Sequence, residues 1–277
     1  MGRVWRLGLV GHPIGKSLSP AMHEAALAAL GLEGSYERFD RVEPEGVHAV
    51  LQAVRAGVLD GVNVTLPHKR VAALACDRLD GVASRLGVVN TVRCEGADLI
   101  GYNTDVPGLV GAVRDGWRTD ARGPALVIGA GGAAYAAVEA ARDLGASDIR
   151  IWNRTRARAE AMAAVVGGEV YDDVHAAAHA VTLLLQASSH GMDLVGEEAR
   201  EALAFAREVV QATAATARVV DLVYRPRPTV WVQAATAEGR EGRDGLGMLV
   251  HQAACAFANW TGQEAPVEVM RRAAEGP

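Results

Sequence analysis

PALVIGAGGAAYAAVEAARDLGA, residues Pro124 to Ala146, decides the fold. Ala125 to Ile128 is a short apolar run of the length of a buried strand, and it breaks at Gly129. Ala-rich sequence then follows Gly131 and Gly132 for more than two helical turns before Gly145 stops it. Strand, glycine turn and helix in this order form the unit that binds a dinucleotide: the turn is tight, and the backbone lets a pyrophosphate approach the helix N-terminus. Such a unit usually carries an acidic residue about 20 residues on, at the end of the next strand, to bind the ribose hydroxyls of NAD. Here DIRIWNRT ends instead in Asn153, Arg154 and Thr155, with Arg158 one turn later. Two guanidiniums and a hydroxyl suit a 2′-phosphate, so NADP is expected over NAD. Arg156 is read as a solvated helix residue.

Outward from this unit, VTLLLQASS and ARVVDLVY read as further apolar strands, and a similar alternation precedes it. RLGLV (Arg6–Val10) is a strand, SPAMHEAALAALG a helix, SYERFDRV a strand, GVHAVLQAVRAGV a helix and GVNVTL a strand. The expected class is α/β with two domains: an N-terminal α/β substrate domain on a mostly parallel sheet, and a Rossmann-like NADP-binding domain. The last helical stretch, MLVHQAACAFANWTG, comes after the second series is complete and is expected to return to the first domain. The boundaries expected are 1–105 plus 246–277, and 106–245.

Composition narrows the partners. A net charge of -5 and a pI near 5.9 give no general attraction to nucleic acid or anionic lipid, which leaves a small-molecule substrate. Cys76, Cys94 and Cys255 are far apart and odd in number, which argues against a disulfide framework or a thiolate zinc site. The histidines show no metal-ligand spacing. The first residues lack a signal-peptide core, and no apolar run approaches the roughly 18 residues of a membrane span. A cytoplasmic location is expected, and a homodimer is admitted.

The first half holds polar groups that a solvent face does not need. In GVNVTLPHK (Gly61–Lys69), Asn63 and Thr65 alternate with Val62, Val64 and Leu66, which predicts a strand with one buried face. In GHPIGKSLSPAMH, Ser19 reads as a helix N-cap with Pro20 as the first helical residue; Ser17 is then unexplained, and two hydroxyls beside free helix N–H groups can cradle a carboxylate. Lys16 adds charge there. GVVNTV contributes Asn90, and GYNTDVPG contributes Asn103, Thr104 and Asp105, a run that is either an Asx turn capping a helix or a carboxylate set beside a lysine.

Taken in order, GHPIGKSLSPAMH, NVTLPHK, GVVNT, GYNTDVPG, GAGGAA, NRTRARA, DLVYRPRPT and DGLGMLVHQAACAFANWTG resemble the shikimate dehydrogenase family over nearly the whole chain. The resemblance implies NADPH-dependent, reversible reduction of 3-dehydroshikimate to shikimate. Lys69 and Asp105 fall on the catalytic pair, and Ser17, Ser19, Asn63, Thr65, Asn90, Tyr224 and Gln252 on substrate positions. Gly129, Ala130, Gly131, Gly132, Ala133, Asn153, Arg154, Thr155 and Arg158 fall on NADP positions, with Gly245 and Met248 where the nicotinamide packs. On this reading Asn63 and Thr65 hold substrate hydroxyls. Lys69 protonates the alkoxide left by hydride transfer, and Asp105 holds it in place. His68 is the rival acid–base group, set aside because consecutive side chains of an extended segment point to opposite faces.

Three places depart from the family pattern: Lys16 replaces a usual His, Tyr135 a usual basic residue, and Gln186, Ser188 and Ser189 stand in a usual Asn-Ala-Thr-Ser run. Two rival readings stay open, a quinate or aminoshikimate dehydrogenase of the same superfamily and a non-catalytic ligand sensor derived from it.

Overall fold

A computed structural model describes residues 3–117 and 122–276. Its chain divides into two units, one formed by Met1–Gly108 with Leu249–Pro277 and the other by Leu109–Met248.

The first unit opens with β1 (Val4–Gly11), α1 (Ser19–Ala29), β2 (Glu33–Asp40), α2 (Pro44–Arg55) and β3 (Gly61–Val64). The crossover helices make β1 parallel to both β2 and β3. After α3 (Lys69–Ala75), β4 (Arg78–Leu79) and α4 (Gly81–Leu86) come β5 (Thr91–Glu95) and β6 (Asp98–Tyr102), then α5 (Asp105–Trp117). The sheet order is β2-β1-β3-β5-β6-β4, with β5 antiparallel to both β3 and β6. The β5–β6 hairpin was not expected from the sequence; its signal was Gly96, which turns the chain at φ +64.

This hairpin positions the polar residues. Its register pairs Thr91 with Tyr102, so Asn90 and Asn103–Asp105, which flank the two strands, meet at one edge. Pairing of β3 with β5 sets Asn63 opposite Thr91 at that same edge. GVNV is not the half-exposed strand its alternation predicts, because all four residues of β3 are buried. β3 is an interior strand, flanked by β1 and β5, with Val10, Val62, Val64, Val89 and Val92 in the core beneath it.

The second unit contains β7 (Gly123–Ile128), α6 (Gly132–Asp143), β8 (Ala146–Trp152), α7 (Arg156–Val166), β9 (Glu169–Val170), α8 (Val174–Ala178), β10 (Leu183–Gln186), α9 (Gly196–Ala212), β11 (Arg218–Asp221), α10 (Val230–Ala237) and β12 (Glu241–Arg243). Its sheet, in the order β12-β11-β10-β7-β8-β9, is parallel throughout. Strand order reverses between β7 and β10, the place where doubly wound sheets bind ligands beyond the strands' carboxyl ends. Residues 125–128 of β7 and 183–185 of β10 are buried apolar runs, the pattern of interior strands in a parallel sheet.

The chain ends with α11 (Leu246–Thr261) and α12 (Val267–Glu275). α12 packs on α1, and the Trp260 indole donates to the Val92 carbonyl at 3.1 Å. Gly61 makes this possible: a Cβ there would collide with the Trp260 ring. No helix among the described residues is long and apolar enough to cross a membrane.

Candidate active site and cofactor-binding surface

In the first unit, Lys69 Nζ donates to Asp105 Oδ2 at 2.6 Å, and both side chains are largely buried. The two residues are 36 positions apart, yet each opens a helix, Lys69 α3 and Asp105 α5. Asn90 Nδ2 donates to the other carboxylate oxygen of Asp105 at 2.9 Å and to Thr104 Oγ1 at 3.0 Å. Asn103 Oδ1 accepts the N–H groups of Asp105 and Val106, an Asx cap on α5. The two readings of GYNTD therefore hold together: Asn103 caps, and Asp105 faces the lysine. One of the three ammonium hydrogens is taken by Asp105, which leaves two to reach a ligand.

Lys69 and His68 are indeed separated, but not for the reason expected from an extended segment. His68 N donates to Thr65 O at 2.9 Å, so the chain turns after β3 and His68 precedes the first turn of α3. The buried His68 ring bonds through Nε2 to the Arg41 carbonyl at 2.8 Å, which occupies it structurally.

Asn63 is engaged inside the protein before any substrate binds. Its Oδ1 accepts from Tyr36 Oη at 2.7 Å, and its Nδ2 donates to Asn90 O at 3.1 Å and Thr91 Oγ1 at 3.0 Å. Both amide hydrogens are spent inside the protein, which leaves Oδ1 as the atom that can meet a substrate hydroxyl, as an acceptor. Thr65 is different: it lies beyond β3, half-buried, and its hydroxyl has no partner among the described residues. Tyr36 and Thr91 carry no such signal in the sequence; with Thr104 they complete the network that fixes Asn63 and Asn90. Burial pushes the Tyr36 phenol up, with Ser19 and Arg38 opposing.

At the start of α1 the expected capping is reversed. Ser19 is the first helical residue, Leu18 occupies the cap position without a side-chain bond, and the Ser17 hydroxyl accepts the Ser19 N–H at 3.2 Å. Ser17 also donates to Ser19 Oγ at 3.2 Å, so the hydroxyls lie side by side, and Arg38 secures the loop through Ser17 O at 2.8 Å. Lys16 is exposed and has no carboxylate partner among the described residues. Gln252, on α11, brings Oε1 to 3.5 Å from Asn90 Nδ2. Gly108 permits this approach, since a Cβ there would lie 2.6–2.8 Å from the Gln252 backbone and Cβ.

The second unit presents the glycine turn at the switch point of its sheet. Gly129 has φ +118, and a Cβ on it would lie 2.9–3.0 Å from the Ala187–Ser188 backbone. Gly131 stands before open space at the N-cap of α6, where no side chain caps the helix, and Ala130, Gly132 and Ala133 complete the turn. Free first-turn N–H groups and a clear approach fit a pyrophosphate. Beyond β8, Asn153 Nδ2 donates to Thr155 O at 2.8 Å and shapes the loop. Arg156 is neutralised by Glu160 and Asp172, whereas Arg154 and Arg158 are exposed without a carboxylate partner among the described residues. Of the three arginines of this loop and helix start, Arg154 and Arg158 are therefore at liberty to bind a 2′-phosphate, and the donor set fits NADP.

The other expected residues of this unit follow β11. Tyr224 is partly buried, and burial raises its phenol. Gly245 N donates to Val223 O at 3.0 Å, and a Cβ on Gly245 would strike Leu222 O. Met248 is buried. Of the departures, Tyr135 is buried on α6, where a basic residue would lose its hydration. Gln186 is fully buried, donating to Asp221 Oδ1 at 3.1 Å and to the Ser188 and His190 carbonyls at 3.2 Å, and it ties down the loop after β10. Burial raises the Asp221 carboxyl to about 7, against hydrogen bonds that lower it.

The chain matches three family models: the shikimate dehydrogenase substrate binding domain over residues 9–92, shikimate / quinate 5-dehydrogenase over 119–227, and the shikimate 5'-dehydrogenase C-terminal domain over 245–275. A curated relative, the shikimate dehydrogenase (NADP(+)) of Geobacter metallireducens, is 39% identical over 98% of this chain and 96% of its own. The structure is similar to shikimate 5-dehydrogenase of Thermus thermophilus in complex with NADP(H) and shikimate, with 38% identity, a TM-score of 0.85 and 98% of each chain covered. It is also similar to quinate dehydrogenase of Corynebacterium glutamicum in complex with NAD, with 29% identity, a TM-score of 0.86, and 98% and 99% covered. The chain belongs to the shikimate dehydrogenase family.

Proposed function

We propose that this protein is an oxidoreductase that reduces 3-dehydroshikimate reversibly to shikimate with NADPH, in the cytoplasm and in the service of aromatic amino acid (chorismate) biosynthesis. The observation that carries the chemistry is the 2.6 Å pair of Lys69 Nζ and Asp105 Oδ2, with ammonium hydrogens to spare. NADPH, when bound, supplies the hydride. As the substrate carbonyl becomes an alkoxide, Lys69 donates the proton that neutralises it, and in the reverse direction the amine takes that proton from the alcohol. Asp105 orients the amine, and Asn90 holds Asp105 from behind. Ser17, Ser19, Asn63, Thr65, Asn90 and Gln252, with Tyr224, are the proposed substrate contacts. Gly129–Ala133 receive the pyrophosphate, Asn153 and Thr155 shape the adenosine loop, Arg154 and Arg158 take the 2′-phosphate, and Gly245 and Met248 support the nicotinamide. The first unit is the proposed substrate and catalytic domain and the second the NADP domain.

Loss of NADPH absorbance with 3-dehydroshikimate tests the activity, and NADP⁺ or NAD⁺ with shikimate and quinate tests the substrate. Lys69→Met is expected to retain less than about a tenth of the turnover, since such groups supply ~10²-fold or more. Full turnover in that variant removes Lys69 from the mechanism, and absence of any turnover in the unsubstituted enzyme removes the activity.

A further inference from the structure

The loop after β10 carries an imidazole that the proposed chemistry leaves idle. His190 is partly buried against two rings, its centroid 5.1 Å from that of Phe205 and 5.8 Å from that of Trp231. An indole N–H only donates. Trp231 Nε1 reaches His190 Nδ1 at 3.2 Å, so Nδ1 is the acceptor and the neutral ring carries its proton on Nε2. No described residue accepts a hydrogen bond from Nε2. The residue's backbone is held as well: its N–H donates to Ser188 Oγ and its carbonyl accepts from Gln186 Nε2, both at 3.2 Å.

This donor sits on the loop that follows β10, beyond the carboxyl end of the strand. The backbone just before it, Ala187–Ser188, is in contact with the glycine turn at Gly129. On the other side of β7, the loop after β8 brings up Arg154. Burial, and then the charge of Arg154, lower the His190 imidazole from its ordinary value, which favours the neutral ring. A neutral N–H near the Arg154 guanidinium adds a hydrogen bond without adding a further positive charge.

We propose that His190 is a specificity-determining residue of this chain, donating its Nε2–H to the 2′-phosphate of NADP alongside Arg154 and Arg158. The inference rests on the proposed NADP site and assigns it a residue that the family resemblance did not supply.

Calorimetric titration with adenosine 2′,5′-bisphosphate and with 5′-AMP, two probes that differ by the 2′-phosphate alone, tests it without turnover. His190→Phe is expected to weaken the bisphosphate about tenfold or more, the range of a hydrogen bond to a charged group, and to leave 5′-AMP within about twofold. His190→Gln, which keeps a side-chain N–H, is expected to restore most of the loss. Equal weakening of both probes, or none, overturns the proposal. In the unsubstituted protein, independent of any effect on folding, the imidazole ¹⁵N–¹H signal of Nε2 is expected to shift with the bisphosphate and not with 5′-AMP; an unmoved signal also overturns it. If the unsubstituted protein binds both probes equally, the NADP site itself fails, a result distinct from failure of His190.

Discussion

His23 makes the first unit sensitive to acid in a way that can be worked out in advance. The ring is fully buried, stacked on Tyr36 with centroids 4.5 Å apart, and neither ring nitrogen has a hydrogen-bond partner among the described residues. Burial lowers its pKa from 6.5 to about 3, with the nearby Asn63 amide opposing. A value depressed in the folded state means that His23 contributes stability in full above 6.5, and that this is lost as pH falls from 6.5 toward 3. At about 1.4 kcal/mol per pH unit, the whole interval is worth roughly 5 kcal/mol at most. Between pH 7.5 and pH 5.0 the expected loss from this one group is about 2 kcal/mol. Other groups titrate over the same interval, so the quantity to measure is the difference between the unsubstituted protein and His23→Leu, which has no proton to gain. Urea unfolding at the two pH values, read by pulsed hydrogen exchange on peptides from α1 and β2, reports on this unit alone. If both proteins lose the same stability between pH 7.5 and 5.0, the buried imidazole is not the acid-sensitive element and the reasoning is wrong.

Cofactor discrimination has a control built into the same segment. Arg154→Ser with Arg158→Ser is expected to raise the KM for NADPH by about 10²-fold while that for NADH changes by less than about threefold, because charge-assisted bonds to the 2′-phosphate contribute roughly 1.5–3 kcal/mol each. Arg156→Ser, which removes a cation already paired with Glu160 and Asp172, is expected to alter neither constant by more than about threefold; equal effects of the double and the control substitutions refute the assignment. Gly108→Ala places a methyl group against the Gln252 backbone and is expected to lower stability by about 1–3 kcal/mol and raise the KM for shikimate without raising that for NADPH. An unchanged melting temperature with unchanged KM refutes the close approach.

What could be read from the residues was whatever depends on near neighbours. Pro124–Ala146 needed only a strand, a turn and a helix adjacent in sequence, and the α/β class follows from that order. Interactions over longer spans were not readable. The commitment of Asn63 depends on Tyr36 and Thr91, each more than 25 residues away in sequence, brought together by parallel pairing of β1, β2 and β3 and antiparallel pairing of β5. Nothing in GVNVTLPHK says that its amide is already satisfied. The turn at Thr65–His68 was hidden for a related reason, since alternation describes the strand but not where it ends. Ser-Pro starts many helices, which favours Ser19 as the cap; in the structure the Ser19 N–H bonds to Ser17 and Ser19 is itself the first helical residue.

The closed amide network of Asn63 and Asn90 constrains how this protein can change its diet. A carboxamide engaged by the backbone and by Tyr36, Thr91 and Thr104 cannot be exchanged to suit a new ring without loosening β3 and β5. Discrimination between one polyol acid and its near relatives must then be tuned at the uncommitted groups, the Thr65 hydroxyl, the paired serines and the Lys16 ammonium, where a substitution alters what is grasped and leaves the hand intact.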